Sequence, residues 1–427
     1  MTYDETLAYI HSTLKFGSKP GLSRIRALME ACGNPQKSTR FVHITGTNGK
    51  GSTTTMLSNI FRRAGYRVGT FLSPYVDNFR ERMQINGELI PPAALTAELE
   101  RLLPKIEAIK ELGHTQPTEF EIVTALALNW FAHEQCDIVM LEVGMGGRLD
   151  CTNVIDAPEA AVLTPVSLDH TKVLGSTVAE IAQDKCGIIK PGCDAVTCYG
   201  QAPEALAVLR ADCAAKGVPL HIPDESALDL LLCDISGSRA EYDGLALRVN
   251  MAGMHQLQNA VTALTAARAL RARGWKVSDA DITDGIADTR FAGRLEIIRR
   301  DPLVLLDGGH NPAGVDAAAR AIDDSLAGRR LITVMGMCAD KATAYCIPEI
   351  ARRSSVFIAT QCDIPRALPA PEVARLAVGH CRDVHWNERV STACRIALSL
   401  ADPGDVILVC GTLYILHDAR EALTVKA

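Results

Sequence analysis

The chain has 427 residues, 48% of them hydrophobic and 22% charged, a globular balance that excludes disorder, collagen-like repeats and low-complexity scaffolds. Forty-four Lys and Arg against fifty Asp and Glu leave a formal charge of -6, which argues against nucleic acid as a partner because that affinity comes from clustered cations on phosphates. No run approaches the roughly twenty apolar residues needed to cross a bilayer, so no membrane partner is expected.

From the N-terminus, Met1-Thr-Tyr-Asp-Glu5 lacks the basic flank and apolar stretch of an export signal. Fourteen scattered cysteines without a C-x-x-C pair predict buried, reduced thiols. Together these features predict a cytoplasmic protein. Runs rich in Val, Ile and Leu then alternate with helical-period stretches, the pattern of a parallel sheet covered by helices. Predicted strands are 41–45, 67–72, 137–143, 160–164 and 195–199, and predicted helices are 53–65, 119–134, 178–188 and 203–216. A long alanine-rich helix over 256–273 and a short one from Ser278 lead to a hinge near Phe291-Ala-Gly-Arg294. A second series follows, with strands 303–306, 331–335, 356–360 and 406–410 and a helix over 313–325. The expected architecture is α/β: a large N-terminal domain over 1–293 with a P-loop ATPase-like parallel sheet, and a smaller Rossmann-like doubly wound domain over 294–427.

The strongest local signal is Gly46-Thr-Asn-Gly-Lys-Gly-Ser52, which follows an apolar strand and precedes a helix. Glycines let backbone N–H groups crowd a phosphate, the helix N-terminus adds partial positive charge, and Lys50 reaches the outer phosphates. An ordinary tight turn that happens to hold a lysine is the bland alternative, and the flanking strand and helix argue against it. The loop departs from the general G-x-x-x-x-G-K-[ST] form, since Gly51 stands where a magnesium-binding hydroxyl is usual; Ser52 and Ser73 are the two candidates to supply it. Glu142 closes the run Asp137-Ile-Val-Met-Leu-Glu-Val143, which puts a carboxylate at the end of a buried strand where α/β sheets place their ligands. Taken alone it reads as a salt-bridged strand-end glutamate; beside a phosphate loop it reads as a magnesium ligand. His170 and the two lysines of Asp184-Lys-Cys-Gly-Ile-Ile-Lys190 are weak signals in isolation, as readily solvated surface groups as ligands.

These motifs, in this order, resemble the folylpolyglutamate synthase and dihydrofolate synthase branch of the Mur ligase superfamily. The resemblance runs nearly end to end through Gly46–Ser52, Leu72-Ser-Pro74, Phe79-Arg-Glu-Arg82, Leu141–Asn153, Leu168-Asp-His170, Lys185–Ile189, His255–Ala260, Gly293-Arg294 and Leu306-Asp-Gly-Gly-His-Asn311. It implies an ATP-dependent, ADP-forming ligase that joins L-glutamate to dihydropteroate, to reduced folates, or to both, through an acyl phosphate. It implies that Asn48, Gly49, Lys50, Gly51 and Ser52, with Asn259, Arg294 and Asp307, hold ATP. It further implies that Ser73, Glu142, His170 and Lys185 hold Mg2+ at two sites, with Lys185 carbamylated by CO2 and His310 positioning the phosphate as a catalytic group beside Lys50. Gly21, Leu22, Ser23, Arg24, Phe120, Leu149 and Asp150 fall at substrate-contacting positions. Departures from the family pattern are Ser23 for an acidic residue, Tyr75 for His, Gly309 for Ala and Thr412 for Ser.

A cell-wall Mur ligase, or another amide ligase of the superfamily, would share this mechanism but not the substrate. A nucleotide-binding switch or small-molecule kinase would use the phosphate loop alone, leaving Asn259, Arg294 and Asp307 unexplained. The lack of coiled-coil heptads is compatible with a monomer.

Overall fold

The computed structural model describes residues 1–13 and 21–424. Its contacts divide the chain into two compact units, one formed by 1–228 with 258–289, the other by 229–257 with 290–424. Both are α/β, as the alternating pattern predicts.

Among the described residues the N-terminal unit holds one sheet of eight strands: β1 Phe41–Thr45, β2 Val68–Phe71, β3 Met83–Ile85, β4 Glu88–Leu89, β5 Ile138–Glu142, β6 Ala160–Leu163, β7 Asp194–Thr197 and β8 Leu220–His221. They lie side by side in the order β4-β3-β2-β5-β1-β6-β7-β8. Pairing is parallel except at the edge hairpin, where β3 runs antiparallel to both β2 and β4. Every residue of β1, β2, β5, β6 and β7 is buried, as expected of strands covered on both faces. One face carries the helix Glu119–His133, apolar nearly all round and therefore buried along its length. Its start is set by a capping box in which the Thr118 side chain accepts from Glu121 N–H and the Glu121 carboxylate accepts from Thr118 N–H. Helix Lys50–Arg63 packs on β1, β2 and β5 and against helix Asp279–Asp288.

A three-stranded antiparallel meander, β9 Leu228–Asp234, β10 Gly237–Tyr242 and β11 Leu245–Val249, groups with the C-terminal unit. The sequence reading has one boundary, between Gly293 and Arg294; the contacts also assign 229–257 to the second unit. The meander escapes a search for buried strands because Leu230, Leu231 and Leu232 are exposed at 44–64% rather than packed. The remaining sheet of that unit has the order β12-β13-β17-β14-β15-β16, from β12 Glu296–Arg300, β13 Leu303–Leu306, β14 Leu331–Met335, β15 Val356–Ala359, β16 Val384–Trp386 and β17 Val406–Cys410. It is parallel apart from β12, and its core joins Leu305, Met335, Phe357 and Leu408 to helices Pro312–Ser325 and Thr343–Ala351.

Two element boundaries differ from expectation in ways that bear on function. The helix expected from Thr53 begins at Lys50, because Gly49 takes a left-handed turn (φ +84°) and lets the helix start with the lysine. The helix expected over 178–188 ends at Lys185 and tightens into a 3-10 turn, Cys186–Ile188.

Candidate active site

Sheet order assembles the site. β2, β5, β1 and β6 are consecutive neighbours, so the segments that leave their carboxyl ends share one edge: Ser73 after β2, Glu142 on β5, the Gly46–Ser52 loop after β1, and Thr164–His170 after β6. Glu142 pairs with Ile44 and Leu163 with Thr45, which puts the carboxylate strand tip level with the root of the loop. Ligands of parallel α/β sheets bind at such an edge.

The loop itself is braced from its neighbours. Thr47 N–H donates to Pro165 O at 2.9 Å, the Thr47 hydroxyl to Ser167 O at 2.9 Å and the Thr164 hydroxyl to Asn48 O at 2.7 Å. A Cβ on Gly46 would fall on the Thr164 hydroxyl, and one on Gly49 would fall on Asn259 Oδ1. Glycine at both places therefore leaves room for a polar side chain to press on the loop. Lys50 Nζ donates to the carbonyl oxygens of Gly46 and Thr47, each at 3.1 Å, so the ammonium lies folded over the loop it is expected to serve. Gly51 and Ser52 occupy the first helical turn, with Ser52 buried.

Ser73 and Glu142 are brought together: Ser73 N–H donates to Glu142 Oε2 at 2.9 Å, and the Glu142 side chain is only 4% exposed. Lys185 comes to the same loop from helix Val178–Lys185. Its Nζ donates to Gly46 O at 2.8 Å, and burial, with Lys50 next in weight, lowers its pKa to about 7. His170 is exposed, in a left-handed conformation at the head of helix Thr171–Leu174, with Nε2 3.9 Å from Asp169 Oδ2. Among the described residues no group of three or more His, Cys, Asp or Glu side chains is gathered for a metal. Mg2+ takes one or two carboxylates and fills its octahedron with water and substrate phosphate oxygens. A buried strand-end carboxylate beside a serine and a phosphate loop is such a donor set.

The substrate-side candidates cluster in the same unit around the start of helix Glu119–His133. A Cβ on Gly144 would meet Phe120 Cζ at 2.5 Å and Asp150 Oδ2 at 3.2 Å, so Phe120 and Asp150 both line the Gly144 turn. Leu149 beside them is exposed at 37%. Gly21 and Leu22 lead into helix Ser23–Ala31, where Arg24 Nε donates to Glu121 Oε2 at 2.6 Å and Nη1 to Thr115 Oγ1 at 2.9 Å. Arg24 is thus tied to the helix start by its guanidinium.

In the C-terminal unit Asp307 is buried at the end of β13, accepting from Leu295 N–H at 3.0 Å and Gly309 N–H at 2.8 Å. Burial raises its pKa, and the nearby Arg294 guanidinium opposes the rise. Arg294 stacks over the Phe291 ring at 5.7 Å. His310 Nδ1 lies 3.0 Å from Gly308 O.

Two further residues support these loops. Thr164 grips the loop from β6, and Asp184 accepts from Gly147 N–H at 2.9 Å, with Arg148 Nε 3.5 Å away. No local signal marks either one; each matters only through a backbone more than thirty residues distant.

The model of the Mur ligase middle domain matches residues 44–267, and that of the Mur ligase glutamate ligase domain matches 293–413. The chain is 36% identical over 430 residues to the dihydrofolate synthase/folylpolyglutamate synthase of Bacillus subtilis (strain 168), covering 99% of each. A folylpolyglutamate synthase of Mycobacterium tuberculosis, solved with ADP and AMPPCP, superposes with a TM-score of 0.89 at 30% identity, covering 100% of this chain and 99% of that one. The Escherichia coli FolC structure in complex with DHPP and ADP superposes with a TM-score of 0.86 at 28% identity, covering 100% and 97%. With kinship over the full chain added to a phosphate loop set beside Glu142 and Ser73, the protein belongs to the folylpolyglutamate synthase and dihydrofolate synthase branch of the Mur ligase family.

Proposed function

We infer that this chain is an ATP-dependent, ADP-forming ligase that joins L-glutamate to the carboxylate of dihydropteroate and/or of (tetrahydro)folate carrying one or more glutamates. The observation that carries the reading is the shared edge of β2, β5, β1 and β6, which holds a phosphate loop, a lysine and a buried carboxylate in a chain similar throughout to ligases of that name.

A carboxylate does not acylate an amine, so the γ-phosphoryl group of ATP is first moved onto it. The acceptor oxygen attacks phosphorus, ADP leaves, and the amine of glutamate then displaces phosphate through a tetrahedral species. The protein's task is to align reactants and answer developing charge rather than to supply a nucleophile. Asn48–Ser52 and Asn259 hold the phosphates, and Lys50 swings from the Gly46 and Thr47 carbonyls to the transferred group. Arg294 and Asp307 are assigned to ATP and His310 to positioning the phosphate, in a glutamate-ligase domain running from about Arg294. Gly21–Arg24, Phe120, Leu149 and Asp150 receive the acceptor.

Ser73, Glu142 and His170 would hold Mg2+, with Lys185 serving a second ion; bound there, the metal offsets phosphate charge. Lys185 suits carbamylation because only a neutral amine adds CO2, losing a proton to give a carbamate, and burial lowers its pKa to about 7, which leaves a large share of the amine neutral near pH 7. All fourteen cysteines are free and eleven are buried, which suits a reducing cytoplasm. We take the working form to be a monomer.

Glutamate-dependent phosphate release with dihydropteroate, tetrahydrofolate or a cell-wall nucleotide sugar as acceptor tests the reading. Turnover is expected with one or both pterins. Turnover with the nucleotide sugar alone, or ATP binding without glutamate-dependent ADP formation, would replace it by the cell-wall ligase or the nucleotide switch.

A further inference from the structure

His43 lies in the middle of β1, fully buried and flanked by Leu141 of β5 and Ala161 of β6. Its Nε2 is 2.8 Å from Thr152 Oγ1, and the Thr152 hydroxyl donates to Asp150 Oδ1 at 2.6 Å. Thr152 N–H adds a bond of 3.0 Å to the same oxygen, while Asp150 Oδ2 accepts from Met145 N–H at 2.9 Å. The other ring nitrogen, Nδ1, is buried without a partner among the described residues.

The direction of this chain follows from its donors. A carboxylate only accepts, so the single Thr152 proton goes to Asp150 and the imidazole must carry its proton on Nε2 to donate to Thr152. The opposite tautomer would bury an N–H on Nδ1 with no acceptor and turn the Thr152 proton away from Asp150. His43 therefore dictates where the hydroxyl proton of Thr152 points. As a packing element alone it is a poor choice: leucine would fill the space on that face of the sheet without an orphaned ring nitrogen.

We propose that His43 is a positioning residue for the acceptor substrate, acting through Thr152 to fix the Asp150 carboxylate, and with it the Gly144–Met145 turn, in the geometry that receives the acceptor. The proposal rests on the reading of Asp150 as an acceptor-contacting residue. Burial alone favours the neutral form of Asp150, and the Thr152 and Met145 donors oppose that tendency. The relay reaches no residue assigned to nucleotide binding, so its loss is felt on the acceptor side.

Steady-state kinetics of His43→Leu, His43→Gln, Thr152→Val and Asp150→Asn, with thermal melts of each, test it. In His43→Leu the acceptor KM rises roughly tenfold, as for loss of a hydrogen bond serving a charged group. The ATP KM stays within about twofold and the melting temperature is not lowered. Glutamine retains a side-chain N–H donor, so His43→Gln recovers most of the loss. Thr152→Val, which breaks the chain at its centre, reproduces the Leu phenotype and serves if that variant does not fold. Combining His43→Leu with Asp150→Asn is no worse than Asp150→Asn alone. An unchanged acceptor KM in both His43→Leu and Thr152→Val, a parallel rise of the ATP KM, equal defects in the Leu and Gln variants, or additive losses in the double variant each overturn the relay. If Asp150→Asn keeps a normal acceptor KM, Asp150 is not an acceptor contact and the inference falls with that role. A raised KM in Asp150→Asn beside a normal one in His43→Leu and Thr152→Val sinks the relay alone.

Discussion

Lys185 Nζ donates a 2.8 Å hydrogen bond to the carbonyl oxygen of Gly46, so the lysine proposed to carry a carbamate is tied to the first residue of the phosphate loop. The side chain is 3% exposed, and burial is the chief reason its pKa falls to about 7. Near neutral pH a large share of the amine is then unprotonated, against about one in a few thousand for an ordinary lysine. Lys185→Ala is expected to lower glutamate-dependent phosphate release by about a hundredfold or more. Bicarbonate-free, CO2-purged buffer should depress the wild-type rate, and returned bicarbonate should restore it. Full activity in the alanine variant would dispose of the carbamate.

Lys50 and Glu142 are assigned to charge at opposite ends of one problem, the cation answering the transferred phosphoryl group and the carboxylate holding Mg2+. Lys50→Ala and Glu142→Ala should each cut kcat by about a hundredfold to a thousandfold, the usual range for losing one preorganised electrostatic contact. Their circular dichroism spectra should remain those of the wild type. Near-normal ADP release in either variant would remove the corresponding assignment.

Gly49 combines a left-handed φ of +84° with a Cβ position occupied by Asn259 Oδ1. Gly49→Ala must strain the backbone and displace Asn259 together, at roughly 1 kcal/mol for the backbone alone. The ATP KM should rise about tenfold or more, measured by nucleotide titration. An unchanged value would mean that the loop adapts without its glycine.

His43 is fully buried and His255 half-buried, and desolvation holds their pKa values down to about 3 and about 4, with smaller contributions from Lys190 and Arg294 respectively. Below their ordinary value of 6.5 the unfolded chain binds these protons and the folded chain does not. Stability therefore falls with acid through the window from 6.5 toward those lower values, by about 1.4 kcal/mol per pH unit for each histidine. Urea unfolding between pH 6.5 and 4.5 should show that slope, and His43→Gln and His255→Gln should each flatten it. A slope unchanged in both variants would show that other groups set the acid limb.

Much of the scaffold is legible locally because the signals are local. Helix Pro203–Lys216 is readable from Pro203 in its first turn and Gly217 just after its end, and β17 from the unbroken apolar run Val406–Cys410. The start of the phosphate-loop helix is not readable, since Gly49 and Gly51 have poor intrinsic helix propensity; the helix forms because Gly49 turns the chain and the strand edge holds it. The β9–β11 meander hides for the converse reason, its apolar Leu230–Leu232 lying exposed where a run of leucines suggests a core.

For the site, the order of residues along the chain already offers candidate groups: a glycine turn with Lys50 and a carboxylate closing a hydrophobic strand are properties of short segments, set by backbone sterics and side-chain type. What only the tertiary structure decided is who stands next to whom. Thr164 presses on Gly46, Asn259 on Gly49, and His43 reaches Asp150 through Thr152, because β1 lies between β5 and β6 and helix Met254–Ala272 meets the loop. Contacts of that kind depend on sheet order and register, which pair segments a hundred or more residues apart and leave no trace in the composition or period of either one.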